Sequence, residues 1–147
     1  MNIDALRDTL KIDEGVKYEI YNDHLGYPTF GIGHLVVESD QEHGKPVGTP
    51  VSEDRVNAVF EKDVSVMIDE AKKIFPNLDE LPDEAQQVIV NMTFNMGRPR
   101  LSKFKKFIAG VNAGDWNKAA VEMMDSRWAK QVGARAERLR DRIKALA

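Results

Sequence analysis

The feature that most constrains the fold is that β-type residues are confined to one short stretch of an otherwise helical pattern. Aromatic and β-branched residues concentrate between residues 17 and 37, with turn-forming sequence at NDHLG and GIG. This composition predicts two or three short antiparallel strands. From Ser52 onward, apolar residues recur at intervals of three and four, which predicts helices. The chain is therefore expected to be α+β and predominantly helical.

The helical spacing is longest over residues 52–75. Val56, Phe60 and Val64 lie on one side of this predicted helix, Ser52 is its expected N-cap, and Pro76 marks its end. A short helix is predicted over residues 3–12 and is expected to end near Gly15. The chain after Pro76 is predicted to be helical throughout, with one helix from Ser102 to Ile108 and another capped by Asp115.

The 147 residues are enough for one domain. We expect a single domain over 1–147, with a small β-containing lobe at 13–51 and a connecting helix at 52–75. A helical lobe would follow at 76–147, joined by the N-terminal helix at 1–12.

Composition excludes several chemistries. The chain has no cysteine, so disulfides, thiolate metal sites and a cysteine nucleophile are impossible. It is 42% hydrophobic and 31% charged, which is typical of a globular protein rather than a disordered one. Neither a secretory signal nor a membrane-spanning stretch is expected from its apolar runs.

Charge is unevenly divided along the chain. Residues 1–93 contain 8 Lys and Arg against 19 Asp and Glu, a net charge of −11, whereas residues 94–147 contain 13 against 5, a net charge of +8. Such a division suggests that the C-terminal part meets an anionic partner, such as nucleic acid, a lipid surface or a cell-wall polymer. A solvated helical surface is the alternative interpretation.

Two carboxylates, a hydroxyl and an imidazole lie in the string EGVKYEIYNDHLGYPTFGIGH. Glu14 follows an amphipathic helix and is expected to be half-buried, and burial disfavours the charged form of a carboxyl, as a general acid requires. Asp23 lies in a polar turn, so the two carboxyls could divide the acid and base roles of glycoside hydrolysis. By spacing alone the pattern is weak, because the chain has 24 acidic residues and Asp is a common turn residue.

Three segments together resemble one family. The pattern Glu-x8-Asp-x5-Thr-x4-His, from Glu14 to His34, resembles the catalytic segment of the phage-type lysozymes, glycoside hydrolase family twenty-four. NMTFNMG at 91–97 resembles the family's Asn-Met-x-Phe-x-Met-Gly helix, and WNKAAVEMMDSRWAKQ at 116–131 resembles its Trp-x-x-Ala-Ala-Val segment leading into Ser-Arg-Trp. The resemblance implies a two-lobed, lysozyme-like fold. It also implies a muramidase that cuts the β-1,4 bond between N-acetylmuramic acid and N-acetylglucosamine in bacterial peptidoglycan, without a cofactor.

The resemblance also implies a role for each residue of the first segment. Glu14 would be the proton donor, Asp23 the second carboxylate, and Thr29 a residue that places the attacking water. The family is usually described as inverting. The family's histidine pairs with an aspartate of the long helix, so His34 is expected to form a structural ion pair with Asp63 and not to act as a base or metal ligand.

Four further residues would bind substrate by the same resemblance. Leu35 and Phe94 would line the groove, one from each lobe, and Asn95 would offer its amide to the sugar. Arg135 would hydrogen-bond near the proton donor. Core packing is the alternative for Phe94, and a solvated surface arginine is the alternative for Arg135.

Some features depart from the family pattern or leave other functions open. Phe107 and Glu122 stand near positions where the family has a small Ser and an Asn in the groove. A lytic transglycosylase and an inactive peptidoglycan-binding module are the alternative functions, and no recognisable motif supports a nucleic-acid partner. The resemblance implies a monomeric endolysin without stable membrane insertion, held in the host bacterial cytoplasm until holin lesions release it to the wall.

Overall fold

The computed structural model describes the whole chain, Met1–Ala147, as eight α-helices and one three-stranded antiparallel sheet. The helices are α1 (Ile3–Glu14), α2 (Glu53–Ile74), α3 (Asp83–Met96), α4 (Arg98–Leu101), α5 (Lys105–Asn112), α6 (Trp116–Met124), α7 (Arg127–Val132) and α8 (Ala134–Lys144), with a 3₁₀ turn at Leu78–Glu80. The strands are β1 (Lys17–Asn22), β2 (Pro28–Gly31) and β3 (His34–Leu35). The predicted class is confirmed: an α+β, lysozyme-like fold with a small antiparallel sheet, a long helix and a helical C-terminal part.

The chain forms two units. Residues Ile3–Val66 form the first, here called the β unit, and Met1–Asn2 with Met67–Ala147 form the second, here called the helical unit. The division falls inside α2. It groups α1 with the strands, whereas the sequence grouped residues 1–12 with the helical lobe.

The sheet of the β unit has the order β1-β2-β3, with both pairs antiparallel. Tyr21 lies opposite Thr29, and Thr29 lies opposite Leu35. Between Lys17, which is opposite Gly31, and Tyr21 the register shifts, because β1 advances four residues while β2 advances two. The pairing of β1 with β2 is therefore irregular between these two residues.

The core of the β unit is built from α1, the sheet and the first part of α2. Its fully buried side chains include Leu6, Leu10, Ile20, Phe30, Val56, Phe60 and Val64. The predicted cap of α2 is confirmed, since Ser52 Oγ accepts a hydrogen bond of 3.1 Å from the backbone N–H of Arg55.

The polar composition of residues 38–51 predicts a surface loop, and most of that segment is exposed. Glu42 is an exception, with only 5% of its surface exposed. Its carboxylate accepts bonds of 2.9 Å from both Nε and Nη2 of Arg55. A paired guanidinium offsets the cost of burying the charge, so this loop is tied to the start of α2.

The helical unit is centred on α3, whose residues 85–93 are all buried. Helices α5 and α6 approach closely at Gly110, where an added Cβ would lie 2.9 Å from the backbone nitrogen of Ala119. The bounds predicted for a helix from Ser102 to Ile108 are wrong at both ends, because α5 runs from Lys105 to Asn112. Pro99 stabilises a separate short helix, α4, whose first turn it occupies, and a turn then intervenes before α5 begins at Lys105.

None of the helices combines the length and the apolar character that crossing a membrane requires.

Candidate active site

Glu14 lies at the end of α1 and is half-buried, as its position after the amphipathic helix predicts. Its side chain packs against the turn between β2 and β3. A Cβ added to Gly33 would lie 3.3 Å from Oε2 and 3.4 Å from Cβ of Glu14. Gly33 also has a φ of +65°, which side chains with a Cβ rarely adopt. The carboxyl of Glu14 therefore rests on backbone that only glycine fits comfortably.

Asp23 lies in the turn that follows β1 and is held firmly there. Its Oδ1 accepts hydrogen bonds of 2.9 Å from the backbone N–H groups of both Leu25 and Tyr27. Its own backbone N–H donates to the Tyr27 carbonyl, and its carbonyl accepts from Gly26, each at 2.9 Å. Because both side-chain bonds end on Oδ1, the second carboxylate oxygen takes no part in holding the turn.

Thr29 is the second residue of β2, and only 4% of its surface is exposed. Its hydroxyl donates a hydrogen bond of 2.9 Å to the carbonyl of Tyr27. A hydroxyl that donates its hydrogen bond to a fixed carbonyl can only accept hydrogen bonds from other partners. Thr29 Oγ1 is therefore oriented as an acceptor.

Residues directly opposite each other in an antiparallel sheet present their side chains on the same face. Tyr21, Thr29 and Leu35 consequently form one row across the three strands. Leu35, at the end of the row, leaves 48% of its surface exposed. Three of the residues predicted for the site, Asp23, Thr29 and Leu35, thus lie on or beside this row.

Tyr21 connects the row to both carboxyls. Partial burial raises the pKa of the Tyr21 phenol, and the negative charges of Glu14 and then Asp23 raise it further. Charges act strongly only at short range in a protein. Glu14 and Asp23 thus lie near enough to influence the phenol of Tyr21, and Thr29 lies directly opposite Tyr21 in the sheet.

The other predicted substrate-binding residues belong to the helical unit. Phe94 lies near the end of α3 and is half-buried, and the adjacent Asn95 accepts a 2.6 Å bond at Oδ1 from the indole N–H of Trp128. Arg135 is only 7% exposed, and its Nε and Nη2 donate to Asn91 Oδ1 at 3.1 and 2.9 Å. It is therefore not the solvated surface arginine that the basic composition of α8 left possible.

Phe107 and Glu122 have different environments. Phe107 is part of the core, where its ring meets that of Phe75 edge-on at a centroid distance of 6.4 Å. Glu122 is half-buried and lines a surface groove of about 420 Å³ together with lysines from the start of α5.

His34 is confirmed as the partner of Asp63, with 2.6 Å between His34 Nδ1 and Asp63 Oδ2. A second carboxylate, Asp40 Oδ2, lies 2.7 Å from His34 Nε2 and also accepts from the backbone N–H of Val37 at 2.9 Å. The sequence shows Asp40 only as an acidic residue in a turn-rich loop shortly after His34, which does not identify it as a partner of the histidine.

The two carboxylates set the ionisation of His34. Burial lowers the pKa of His34, but the hydrogen bonds and charges of Asp63 and Asp40 outweigh it and raise the pKa above 6.5. Burial likewise opposes ionisation of Asp40, but the Val37 bond, His34 and Arg55 together lower the pKa of Asp40. The raised pKa favours the imidazolium form of His34 between the two carboxylates, and the role of this residue is structural. No group of three His, Cys, Asp or Glu side chains is arranged to hold a metal ion.

Comparisons with known proteins find related sequences. The model of the phage lysozyme family matches residues 11–145. Two proteins of Dictyostelium discoideum are described as probable T4-type lysozymes 2 and 1, and they are 33% and 32% identical to this chain over 159 residues. Each match covers 93% of this chain and 92% of the relative. The pre-baseplate central spike protein Gp5 of Enterobacteria phage T4 is 31% identical over 153 residues, which cover 92% of this chain and 27% of that longer protein.

Proposed function

Because this chain belongs to the phage lysozyme family, and is thus of the lysozyme type of glycoside hydrolase, we propose that it is a muramidase. It would hydrolyse the β-1,4 bond between N-acetylmuramic acid and N-acetylglucosamine in bacterial peptidoglycan. The observation that carries this proposal is that the backbone of Tyr27 bonds both Asp23 and Thr29, while the carboxyl of Glu14 packs against Gly33 in the same β unit. Glycoside hydrolysis needs two carboxyl groups with separate roles.

Glu14 is the proton donor in this proposal. It is half-buried at the end of α1, and the Gly33 backbone limits where its carboxyl can lie. An acid that protonates a leaving oxygen must be held within hydrogen-bond reach of that oxygen. The close fit against Gly33 supplies such a restraint from the backbone, without a bulky neighbour that would exclude a sugar.

Asp23 and Thr29 position the attacking water. Thr29 Oγ1 donates its own hydrogen bond to the carbonyl of Tyr27, so it accepts a hydrogen bond from the water. Asp23 has both of its side-chain bonds on Oδ1, so Oδ2 accepts the second hydrogen bond of the water. A water held by two acceptors presents a lone pair to the anomeric carbon, and Asp23 removes a proton as the bond forms. Water attack on the face opposite the leaving group inverts the anomeric centre.

The predicted substrate contacts remain part of the proposal. Leu35 offers an exposed apolar side chain at the end of the row that contains Thr29. Asn95 keeps its amide N–H groups as donors, since the indole of Trp128 occupies its carbonyl oxygen. The family resemblance supports Phe94 and Arg135 as the other two residues of the set.

The biological role is proposed from the resemblance. A phage-type endolysin acts as a monomer and remains in the cytoplasm of the infected bacterium until holin lesions release it to the wall, where it lyses the host.

The decisive experiment compares the wild-type protein with Glu14→Gln on purified peptidoglycan. Glu14→Gln should abolish the release of new reducing ends while leaving the thermal unfolding transition in place. Glu19→Gln, on the exposed side of β1, is the matched control and should retain activity. Turnover by Glu14→Gln near that of the wild type would refute the assignment.

Analysis of the products separates the alternatives. A reducing N-acetylmuramic acid end identifies a hydrolase, whereas a 1,6-anhydro end would identify a lytic transglycosylase. Proton NMR of the first product formed should show the α-anomer if hydrolysis inverts the centre, and the β-anomer would contradict inversion. Binding to peptidoglycan without any cleavage would identify a binding module.

A further inference from the structure

The side-chain amide of Asn95 has an orientation that its partner fixes. Its Oδ1 accepts a hydrogen bond of 2.6 Å from the indole N–H of Trp128. An indole nitrogen can donate a hydrogen bond but cannot accept one, so the amide atom that meets it must be the oxygen. The two N–H bonds of Asn95 Nδ2 therefore lie at the end of the amide that is turned away from the indole.

The indole that fixes this amide is itself held rigidly. Trp128 is only 1% exposed, and its ring meets that of Phe104 edge-on with the centroids 6.3 Å apart. Ser126 caps α7, the helix that carries Trp128: its Oγ accepts a bond of 3.1 Å from the N–H three residues later. The same Oγ donates a bond of 2.8 Å to the carbonyl of Met123. A buried and packed group, and not solvent, thus sets the orientation of Asn95.

The N–H groups of this amide are available to a ligand. Nδ2 of the half-buried Asn95 makes no hydrogen bond within the protein. The only buried side-chain nitrogen or oxygen without a partner is Nε of Arg7, so solvent reaches Asn95 Nδ2. At its accessible end the amide therefore offers two donors and no acceptor.

We propose that Asn95 recognises the carbonyl oxygen of an N-acetyl group of the polysaccharide, and that Trp128 is the positioning residue that keeps the Asn95 donors directed outward. This inference rests on the muramidase function proposed above and names a feature of the substrate that the site selects. Both sugars of peptidoglycan carry an acetamido group, whose carbonyl accepts hydrogen bonds. A de-N-acetylated sugar carries an ammonium instead. Because an ammonium only donates, it would leave the Asn95 donors without an acceptor, which selects against that sugar.

Asn95→Asp tests the inference, because a carboxylate still accepts from the indole of Trp128 but replaces the N–H donors by an acceptor. Wild-type kcat/KM should be about tenfold higher on N-acetylated peptidoglycan than on the same material after enzymatic de-N-acetylation, the effect of one unmatched hydrogen bond. In Asn95→Asp this ratio should fall to about one or invert, since the carboxylate attracts the ammonium. Asn117→Asp makes the same change at an exposed position in the first turn of α6 and should keep the wild-type ratio.

Trp128→Phe tests the positioning role separately. It keeps an aromatic ring but removes the N–H, so the Asn95 amide is free to turn its oxygen toward an ammonium, and the ratio of the two kcat/KM values should fall toward one. A purely structural role for Trp128 would lower the thermal unfolding temperature and leave the ratio unchanged, which would overturn the positioning role. If Trp128→Phe does not fold, Asn95→Asp decides the inference.

The outcomes for this inference and for the proposed function can be told apart. If the wild type cleaves N-acetylated peptidoglycan and Asn95→Asp keeps the wild-type ratio, the proposed function stands and only this inference fails. A wild type that cleaves both materials equally well would also overturn the inference alone. If the wild type cleaves neither material, the proposed function fails, and the inference that rests on it fails as well.

Discussion

Asp23 and Thr29 are held by the backbone of one residue. The N–H of Tyr27 donates to Asp23 Oδ1, and the carbonyl of Tyr27 accepts from Thr29 Oγ1, each at 2.9 Å. The same carbonyl also accepts from the backbone N–H of Asp23. The separation of the two side chains is therefore set by turn geometry. A fixed separation is what a water held between two acceptors requires.

The hydroxyl of Thr29 should matter more for rate than for stability. Thr29→Val keeps the shape of the side chain but removes the acceptor for the water, so we expect kcat on peptidoglycan to fall by about a hundredfold. Unfolding should become easier by only about 1 kcal/mol, the net worth of one hydrogen bond. Steady-state kinetics and urea denaturation measure the two effects.

Thr29→Ser is the matched control for this prediction because it restores the hydroxyl and its bond to Tyr27. It should recover most of the rate. A Thr29→Ser variant as slow as Thr29→Val would show that the methyl group, and not the hydroxyl, is what the site needs.

Gly33→Ala should disturb Glu14. The new Cβ would lie 3.3 Å from Glu14 Oε2, and the residue has a φ of +65°, so the variant carries both a close contact and backbone strain. We expect a loss of about 1 kcal/mol in stability from the strain and a fall in kcat of ten- to hundredfold, roughly the effect of misplacing a catalytic group.

Gly114→Ala provides the comparison for Gly33→Ala. Gly114 has nearly the same φ, +66°, but no atom lies within 4 Å of its added Cβ. Its variant should lose similar stability and keep full activity. Equal losses of activity in both variants would mean that backbone strain, rather than contact with Glu14, impairs the enzyme.

The parts of this structure that sequence predicts depend on near neighbours. The caps predicted at Ser52 and Asp115 are confirmed, each with the side-chain oxygen accepting from the N–H three residues later. Helical periodicity likewise reports the face that each helix buries. Such features need only a few consecutive residues, which the sequence contains.

The parts that sequence does not predict depend on distant segments. Residues 38–51 have the composition of an exposed loop, yet Asp40 folds back to His34 and Glu42 is buried against Arg55. The composition of a loop does not show which distant residues its side chains contact. Tyr21 lies directly opposite Thr29, and this pairing depends on the register of β1 with β2.

The Glu42–Arg55 pair should contribute to stability mainly by preventing an unpaired buried charge. Arg55→Gln leaves Glu42 with no guanidinium, and we expect a loss of about 2–4 kcal/mol, since breaking a buried pair from one side is costly. The double variant Glu42→Gln/Arg55→Gln should regain part of that loss because neither charge remains. Urea denaturation at pH 7 checks both. A double variant less stable than Arg55→Gln would contradict this account.

Stability should fall as the pH rises above neutrality because of His34. The pKa of His34 is raised in the folded protein above 6.5, so the stabilisation from Asp63 and Asp40 is fully present below pH 6.5. It is lost as the pH rises through the raised pKa. Each unit between the folded and unfolded pKa values is worth about 1.4 kcal/mol. Asp40 has the opposite pH dependence. The stability that its lowered pKa provides is fully present above pH 3.8 and is lost as the pH falls through the lowered pKa.

Urea denaturation between pH 5 and pH 9 measures the free energy of unfolding for this test. His34→Gln should be less stable than the wild type at pH 6 and should lose most of the decline above neutrality, because the imidazolium between the two carboxylates is gone. His24→Gln changes an exposed histidine in a turn and should decline as the wild type does. Parallel curves for the wild type and His34→Gln would show that the pH dependence arises elsewhere. If only His34→Gln flattens the curve of unfolding free energy against pH, the pH dependence arises where β3, the following loop and α2 meet.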